Sequence, residues 1–179
     1  LAGRTPGVHL NQAGRKQAAR LAQALGDKPI KAVYASPLER TQETAQPIAA
    51  AHKLAVQNSQ ALVEIDFGDW SGKTFEFLKG QALWKQVQEH PNTVRFPNGE
   101  SFQEAQARAV KEIIRLSEAY QQEDQIVCVS HCDVIRLILA YFLGMPLDTF
   151  QRLRVAPASI SVLQLFEGKA FLESVNQTF

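Results

Sequence analysis

Short apolar runs alternate along the chain with stretches in which apolar residues recur every three or four positions. The clearest run covers 126–129 and is rich in β-branched residues, which is typical of a strand buried on both faces of a parallel sheet. A helical pattern follows at once, with Asp133 as its expected N-cap, and ends at Gly144. His131 is therefore predicted to lie where a buried strand ends and a helix begins.

The same alternation over the whole chain predicts the fold class. Strands that alternate with helices indicate a mainly parallel sheet covered on both faces, an α/β three-layer sandwich, with a C-terminal hairpin as its antiparallel edge. Ser101 and Glu104 form a capping box that opens the longest helix, and Gly26 is the expected C′ residue of the first. Residues 62–72 are predicted to be an extended segment that leads into a loop. Helices are predicted at 11–25, 39–52, 74–79, 81–89, 101–120, 133–144 and 147–153, and strands at 32–35, 54–57, 126–129, 159–166 and 170–175.

Composition excludes several classes of function. The 179 residues are predicted to form a single domain, 1–179, with 45% hydrophobic and 21% charged residues, as in ordinary globular proteins. A formal net charge of +1 indicates no strongly basic surface of the kind that binds nucleic acid. No apolar stretch is long enough to span a bilayer. Cys128 and Cys132 are too few for a disulfide framework, which favours a cytoplasmic protein.

Four places carry side chains that suit chemistry on a phosphate group. Arg40 is predicted in the first turn of a helix, where anions are attracted, although a solvated surface arginine fits the same pattern. Glu64 stands in an apolar context that would raise its pKa and make it a proton donor, or it lies on the exposed face of an edge strand. His131 ends a strand, where open α/β sheets bind ligands, or it is an ordinary turn histidine. The loop with Arg4 and His9 is the fourth candidate, or a simple surface turn.

These candidates belong to five longer segments. They are the stretch 1–18; Ser-Pro-Leu-x-Arg-Thr with Thr-Ala at 36–45; Glu-Ile-x-x-Gly-x-Trp-x-Gly at 64–72; Pro-x-Gly-Glu-Ser at 97–101; and Val-Ser-His with Ile-Arg at 129–136. In this order they resemble the motifs of the histidine phosphatase superfamily, whose fold is phosphoglycerate mutase-like. The start of the chain is also similar to a bacterial phosphomutase/phosphatase subgroup. The resemblance covers essentially the whole chain, and the ordered set is far more specific than any one motif.

The resemblance implies a role for each candidate. Arg40, His131 and Cys132 would bind the phosphoryl oxygens, Glu64 would be the general acid and then the general base, and Arg4 would contact the substrate. The family usually has glycine where this chain has Cys132, and a positive φ at that position would strain a cysteine. The resemblance implies neither a cofactor nor a metal ion.

The nucleophile of the family has no counterpart in these residues. It is the histidine of an Arg-His-Gly motif on the first strand, and none of the four histidines here follows an arginine. We expect the motif to lie a short way before Leu1, because the strand that carries it would also cover apolar surface of the sheet.

The predicted function is hydrolysis of a phosphomonoester, without a metal ion, through a phosphohistidine intermediate. The ligand would be a small phosphorylated metabolite or inorganic phosphate, with no nucleic-acid or membrane partner, and a homodimer is left open. Family mutases of the glycolytic type carry longer insertions than the segment between Gly72 and Pro97, which favours a phosphatase. The alternatives are a phosphoglycerate mutase-type phosphomutase and, if the nucleophile is absent, a non-catalytic phosphate-binding module.

Overall fold

The computed structural model describes residues 1–179 and contains six α-helices and five strands. Short 3₁₀ turns connect them at Gln60–Leu62, Gly68–Trp70, Pro91–Thr93 and Leu147–Arg152. The helices are α1 (Gln12–Leu25), α2 (Glu39–Ala51), α3 (Phe75–Lys79), α4 (Ala82–Glu89), α5 (Phe102–Ala119) and α6 (Cys132–Phe142), and the strands are β1 (Ile30–Ala35), β2 (Val56–Asn58), β3 (Gln125–Val129), β4 (Ile160–Phe166) and β5 (Lys169–Gln177).

The main sheet is parallel and has the strand order β2–β1–β3. On one face, Leu21 of α1 and Ile48 of α2 pack in a cluster with Val33 of β1. On the other face, Leu137 of α6 belongs to the larger core, against which Tyr34 of β1 packs. Val33 and Tyr34 are consecutive in a strand and point to opposite faces, so helices cover both sides. The predicted three-layer α/β architecture is confirmed.

The C-terminal hairpin forms a second, separate sheet. Strands β4 and β5 pair antiparallel, as predicted, and Glu167 and Gly168 join them with φ values of 48° and 73°, both in the left-handed region that such tight turns need. The hairpin is not hydrogen-bonded to the parallel sheet. The antiparallel pair is therefore present, but it does not form the edge of the main sheet that the sequence predicted.

The edge of β3 away from β1 is free. No strand pairs with that edge, and Val127 and Val129 are only partly buried, whereas Val33 of the neighbouring β1 is completely buried. Val127, Val129 and Ile160 of β4 pack against the same apolar cluster. Strands β3 and β4 therefore flank one apolar region without bonding to each other.

Several local predictions are corrected. Asp133 is not the N-cap of α6; His131 occupies that position, and Asp133 pairs with Arg136 within the first turns. Gly26 has a φ of −56° and is not left-handed. Residues 62–72 form turns and irregular backbone rather than an extended strand. No helix is long and apolar enough to cross a membrane.

Candidate active site

Arg40, Glu64 and His131 lie together at the carboxyl ends of the parallel strands. Arg40 is in the first turn of α2, after β1; His131 directly precedes α6, after β3; and Glu64 is in the segment that follows β2. Arg40 Nη2 is 3.2 Å from His131 Nδ1, and Glu64 Oε2 is 3.9 Å from the same nitrogen. The predicted convergence of these three residues is confirmed.

The imidazole of His131 is buried and neutral. The residue is only 5% exposed, and its Nε2 lies 2.8 Å from the hydroxyl of Ser36. Burial lowers the pKa of His131 to about 3, and the positive charges of Arg40, Arg108 and Arg4 lower it further. An anion beside the ring would oppose all of these effects on the pKa.

Arg40 has one hydrogen-bonding group free for a ligand. Its Nη2 donates to the carbonyl of Gly3 at 2.8 Å, whereas its Nη1 is buried and has no protein partner. Burial lowers the pKa of Arg40, but an arginine stays protonated near neutral pH. A buried, unpartnered guanidinium N–H costs free energy unless it is satisfied, and an oxyanion is the partner that this group binds best.

Glu64 is a carboxyl group poised to give or take a proton near neutral pH. Its side chain is 14% exposed. Burial raises its pKa to about 7, and the negative charge of Asp133 adds to the increase, against the opposing effects of the Ile65 N–H and of Arg40. The direction is the one that the apolar sequence context predicted. Such a pKa suits a general acid or base.

Two further arginines hold the backbone that carries Glu64. Arg4 Nε and Arg108 Nη2 donate to the Glu64 carbonyl oxygen at 2.7 Å and 3.2 Å. Both guanidinium groups also pair with Glu100, at 2.7 Å and 2.8 Å. Arg4 additionally contacts Asp66 at 3.5 Å. The Arg4 side chain remains 34% exposed, and its contact with a substrate stays a prediction.

Cys132 is the first residue of α6 and has no positive φ, so its side chain causes no backbone strain. Its thiol donates to the carbonyl of Val155 at 3.4 Å, and burial raises its pKa. The thiol is therefore protonated near neutral pH and is not an activated nucleophile. A contact with phosphate at this position stays a prediction.

Sequence reasoning missed three functional neighbours: Ser36, Glu100 and Arg108. Ser36 and Glu100 stand within the motif segments, but nothing in their local pattern shows which side chain they meet. Arg108 lies on α5 between residues of the apolar stripe, and a charge at that position was the available signal.

A largely apolar cavity of about 380 Å³ lies beside the first turns of α6. Asp133 and Arg136 supply its polar side, and Arg136 Nε is buried without a partner. No cluster of three or more His, Cys, Asp or Glu side chains is placed to hold a metal ion. The other lining residues are Leu1, Phe67, Trp70, Phe75, Leu78, Trp84, Val87, Gln88, Phe96, Phe102 and Gln151.

Comparison with known proteins places this site in a family. Residues 1–178 match the histidine phosphatase superfamily (branch 1), and the chain belongs to that superfamily. It is 33% identical over 171 residues to phosphoserine phosphatase 1 of Hydrogenobacter thermophilus, covering 94% of this chain and 81% of the relative. It is 31% identical over 172 residues to the adenosylcobalamin/alpha-ribazole phosphatase of Escherichia coli, covering 93% and 83%.

A solved structure supports the fold. The mycobacterial glucosyl-3-phosphoglycerate phosphatase in complex with inorganic phosphate superimposes with a TM-score of 0.89 at 24% identity, covering 99% of this chain and 91% of the other. The phosphoglycerate mutase-like fold is therefore confirmed. Family and relatives together support an enzyme that hydrolyses phosphate esters.

Proposed function

We propose that the intact protein is a metal-independent phosphomonoester hydrolase that acts on a small phosphorylated metabolite through a phosphohistidine intermediate. The observation that carries the proposal is the arrangement around His131 Nδ1. An arginine with an unpartnered N–H lies on one side of that nitrogen, and a carboxyl group with a pKa of about 7 lies on the other. Relatives named as phosphatases of phosphoserine and alpha-ribazole phosphates support the substrate class.

The reaction has two transfers of the phosphoryl group. In the first, a histidine nitrogen bonds to phosphorus, the ester P–O bond breaks, and Glu64 gives its proton to the leaving oxygen. In the second, the ionised Glu64 takes a proton from a water molecule as that water attacks phosphorus. The N–P bond then breaks and inorganic phosphate is released. Arg40, His131 and Cys132 bind the phosphoryl oxygens, and Arg4 lies on the substrate side.

The nucleophilic histidine would belong to a strand outside the residues described. The unpaired edge of β3 supports this, because a strand beside it would pair with that edge and cover Val127 and Val129. The carboxyl end of a strand parallel to β3 would lie beside His131. Residues 1–179 would then make one domain together with that strand.

A mutase would return the phosphoryl group to another oxygen of the substrate instead of giving it to water. The segment between Gly72 and Pro97 contains two short helices, α3 and α4, and the 3₁₀ turn Pro91–Thr93. It offers little chain with which to enclose a substrate and exclude water, which favours hydrolysis. A cytoplasmic location and a homodimer stay predictions.

The test is hydrolysis of an aryl phosphate by the full-length natural protein in the presence of EDTA. We expect turnover that EDTA leaves unchanged and an acid-labile phosphoprotein that can be trapped during it. Arg40→Lys should abolish most of this turnover, because a lysine cannot present two N–H groups in a fixed plane. Activity lost to EDTA and restored by a divalent metal would exclude the proposal.

A further inference from the structure

Ser36 is held rigidly against the imidazole of His131. It follows β1 directly and is fully buried. Its N–H donates to the Val129 carbonyl at 3.0 Å, and its own carbonyl accepts from Thr41 Oγ1 at 2.9 Å and from Gln42 Nε2 at 2.6 Å. With the backbone fixed on both sides, the hydroxyl stays 2.8 Å from His131 Nε2.

The contacts of the ring determine which of its nitrogens carries the proton. An arginine has donors and no acceptor, so the 3.2 Å contact from Arg40 Nη2 requires a lone pair on His131 Nδ1. A neutral imidazole with a lone pair on Nδ1 has its proton on Nε2. That proton points at Ser36 Oγ, which therefore accepts the hydrogen bond.

We propose that Ser36 is a positioning residue that fixes the Nε2–H tautomer of His131 and thereby reserves Nδ1 for the phosphoryl group. The proposal rests on the proposed function and deepens it at the same site. When a phosphoryl oxygen takes the Nη2–H that Arg40 gives to Nδ1, the freed Nδ1 lone pair gains one proton from solvent. The ring becomes an imidazolium that donates from Nδ1 to the anion and from Nε2 to Ser36.

Charged groups from every neighbouring element act on this protonation. Arg40 of α2, Arg4 of the N-terminal segment and Arg108 of α5 disfavour the imidazolium, and Glu64 favours it when ionised. A bound phosphate dianion opposes the arginines. Without Ser36, the ring could exchange tautomers or turn about its Cβ–Cγ bond, and Nδ1 would no longer be committed to the ligand.

The experiment is nitrogen NMR of the imidazole of His131 in the full-length natural protein, with and without inorganic phosphate. Free protein near neutral pH should show a protonated Nε2 and an unprotonated Nδ1. Phosphate should convert both nitrogens to the protonated type at the same pH. An unprotonated Nε2 in the free protein, or no change at Nδ1 with saturating phosphate, would overturn the proposal even if no variant folds.

Variants then test Ser36 itself. Ser36→Ala should weaken phosphate binding and lower kcat/KM by about 10–100-fold, the effect of losing a hydrogen bond to a charged group, and Ser36→Thr should restore part of the loss. Ser59→Ala is the matched control: Ser59 is also a buried serine that follows a strand, but its hydroxyl donates to Glu112 at 2.7 Å. It should leave the His131 signals and phosphate affinity unchanged.

The outcomes separate this proposal from the proposed function. If Ser36→Ala keeps both the wild-type tautomer and the wild-type phosphate affinity, Ser36 has no positioning role, whatever the protein hydrolyses. If wild-type protein shows the expected nitrogen signals and phosphate response but hydrolyses no phosphate ester, the function is wrong and the role of Ser36 in anion binding stands.

Discussion

At the scale of single residues, burial acts in opposite directions on the two titrating groups of the site. Low solvent exposure disfavours charge, so it raises the pKa of Glu64 to about 7 and lowers the pKa of His131 to about 3. Near neutral pH the empty site therefore holds a neutral imidazole and a partly protonated carboxyl beside the charged Arg40. Its net positive charge favours an entering phosphate dianion.

Replacement of Glu64 should separate substrates by their leaving groups. We expect Glu64→Gln to slow transfer from alkyl phosphates by about 10²–10⁴-fold, the usual contribution of a general acid, and to leave transfer from aryl phosphates nearly intact. An aryl oxide departs without a proton near neutral pH, whereas an alkoxide does not. The burst phase of pre-steady-state kinetics measures this, because it reports the first transfer alone.

Asp66 is the control for this assignment, since it lies two residues from Glu64 but faces Arg4. Asp66→Asn should not discriminate between leaving groups. A leaving-group effect in Asp66→Asn, or equal slowing of both burst rates in Glu64→Gln, would show that the acid is misassigned.

The pH dependence follows from the sign of the Glu64 shift. The carboxyl is protonated below its pKa of about 7 and loses its proton above it. For an alkyl phosphate, kcat/KM should therefore fall as pH rises through about 7. The substrate ionises in a similar range, so the diagnostic comparison is Glu64→Gln, in which this limb should disappear while any limb from the substrate remains.

Individual chemical roles were predictable only where the local pattern contained them. An acid among apolar residues and a histidine at a strand end are local signals, and they predict Glu64 and His131 as candidates, which the structure places side by side. The hydroxyl of Ser36 and the guanidinium of Arg108 gain their importance from residues far along the chain. No local pattern contains such a contact.

At the scale of elements, the segment that carries Glu64 is fixed by a close crossing with the entry to α5. The Glu100 N–H donates to the Asp66 carbonyl at 2.9 Å, and the Asp69 N–H donates to the Pro97 carbonyl at 3.0 Å. Backbones approach so closely here that a Cβ on Gly68 would collide with the carbonyl oxygen of Pro97. Gly68 also has a φ of 50°.

Gly68→Ala should therefore destabilise the protein more than the matched change Gly72→Ala. Gly72 also has a positive φ, 78°, but a Cβ there meets nothing within 4 Å. Gly72→Ala should cost about 1–2 kcal/mol of unfolding free energy through φ alone, and the collision at Gly68 should add about 1–3 kcal/mol. Urea unfolding measures both, and equal losses would mean that the crossing can widen freely.

The distance in sequence between contacting residues explains which elements were predictable from the sequence. The starts of α1 and α5 were predictable because their caps are local: Asn11 accepts from the Gly14 N–H, and Ser101 and Glu104 form the expected capping box. The conformation of 62–72 depends on residues 97–100, which are distant in sequence. Its apolar residues predict an extended start, whereas these long-range contacts impose turns.

At the scale of the whole molecule, the alternation of strands and helices was sufficient to predict three layers, but not how the hairpin is attached. A hairpin is specified by its own two strands and turn, whereas its place beside a sheet depends on a third strand. Because β3 and β4 do not pair with each other, the antiparallel edge is detached from the parallel sheet. This arrangement leaves an apolar region between β3 and β4.

A protein restricted to residues 1–179 should therefore bind a dye for exposed apolar surface, such as ANS, and should self-associate through the free edge of β3. If the full-length protein carries the proposed strand beside β3, it should bind little dye and unfold at a higher temperature. Val127→Lys in the shorter protein should reduce self-association, because a charge on a free edge opposes pairing with a second chain. Tyr141→Lys is the control, since Tyr141 is an exposed apolar side chain on α6 rather than on a strand edge.

If the shorter protein were monomeric, bound no dye and hydrolysed aryl phosphates, the strand between β3 and β4 would be unnecessary and the nucleophile would have to lie within residues 1–179.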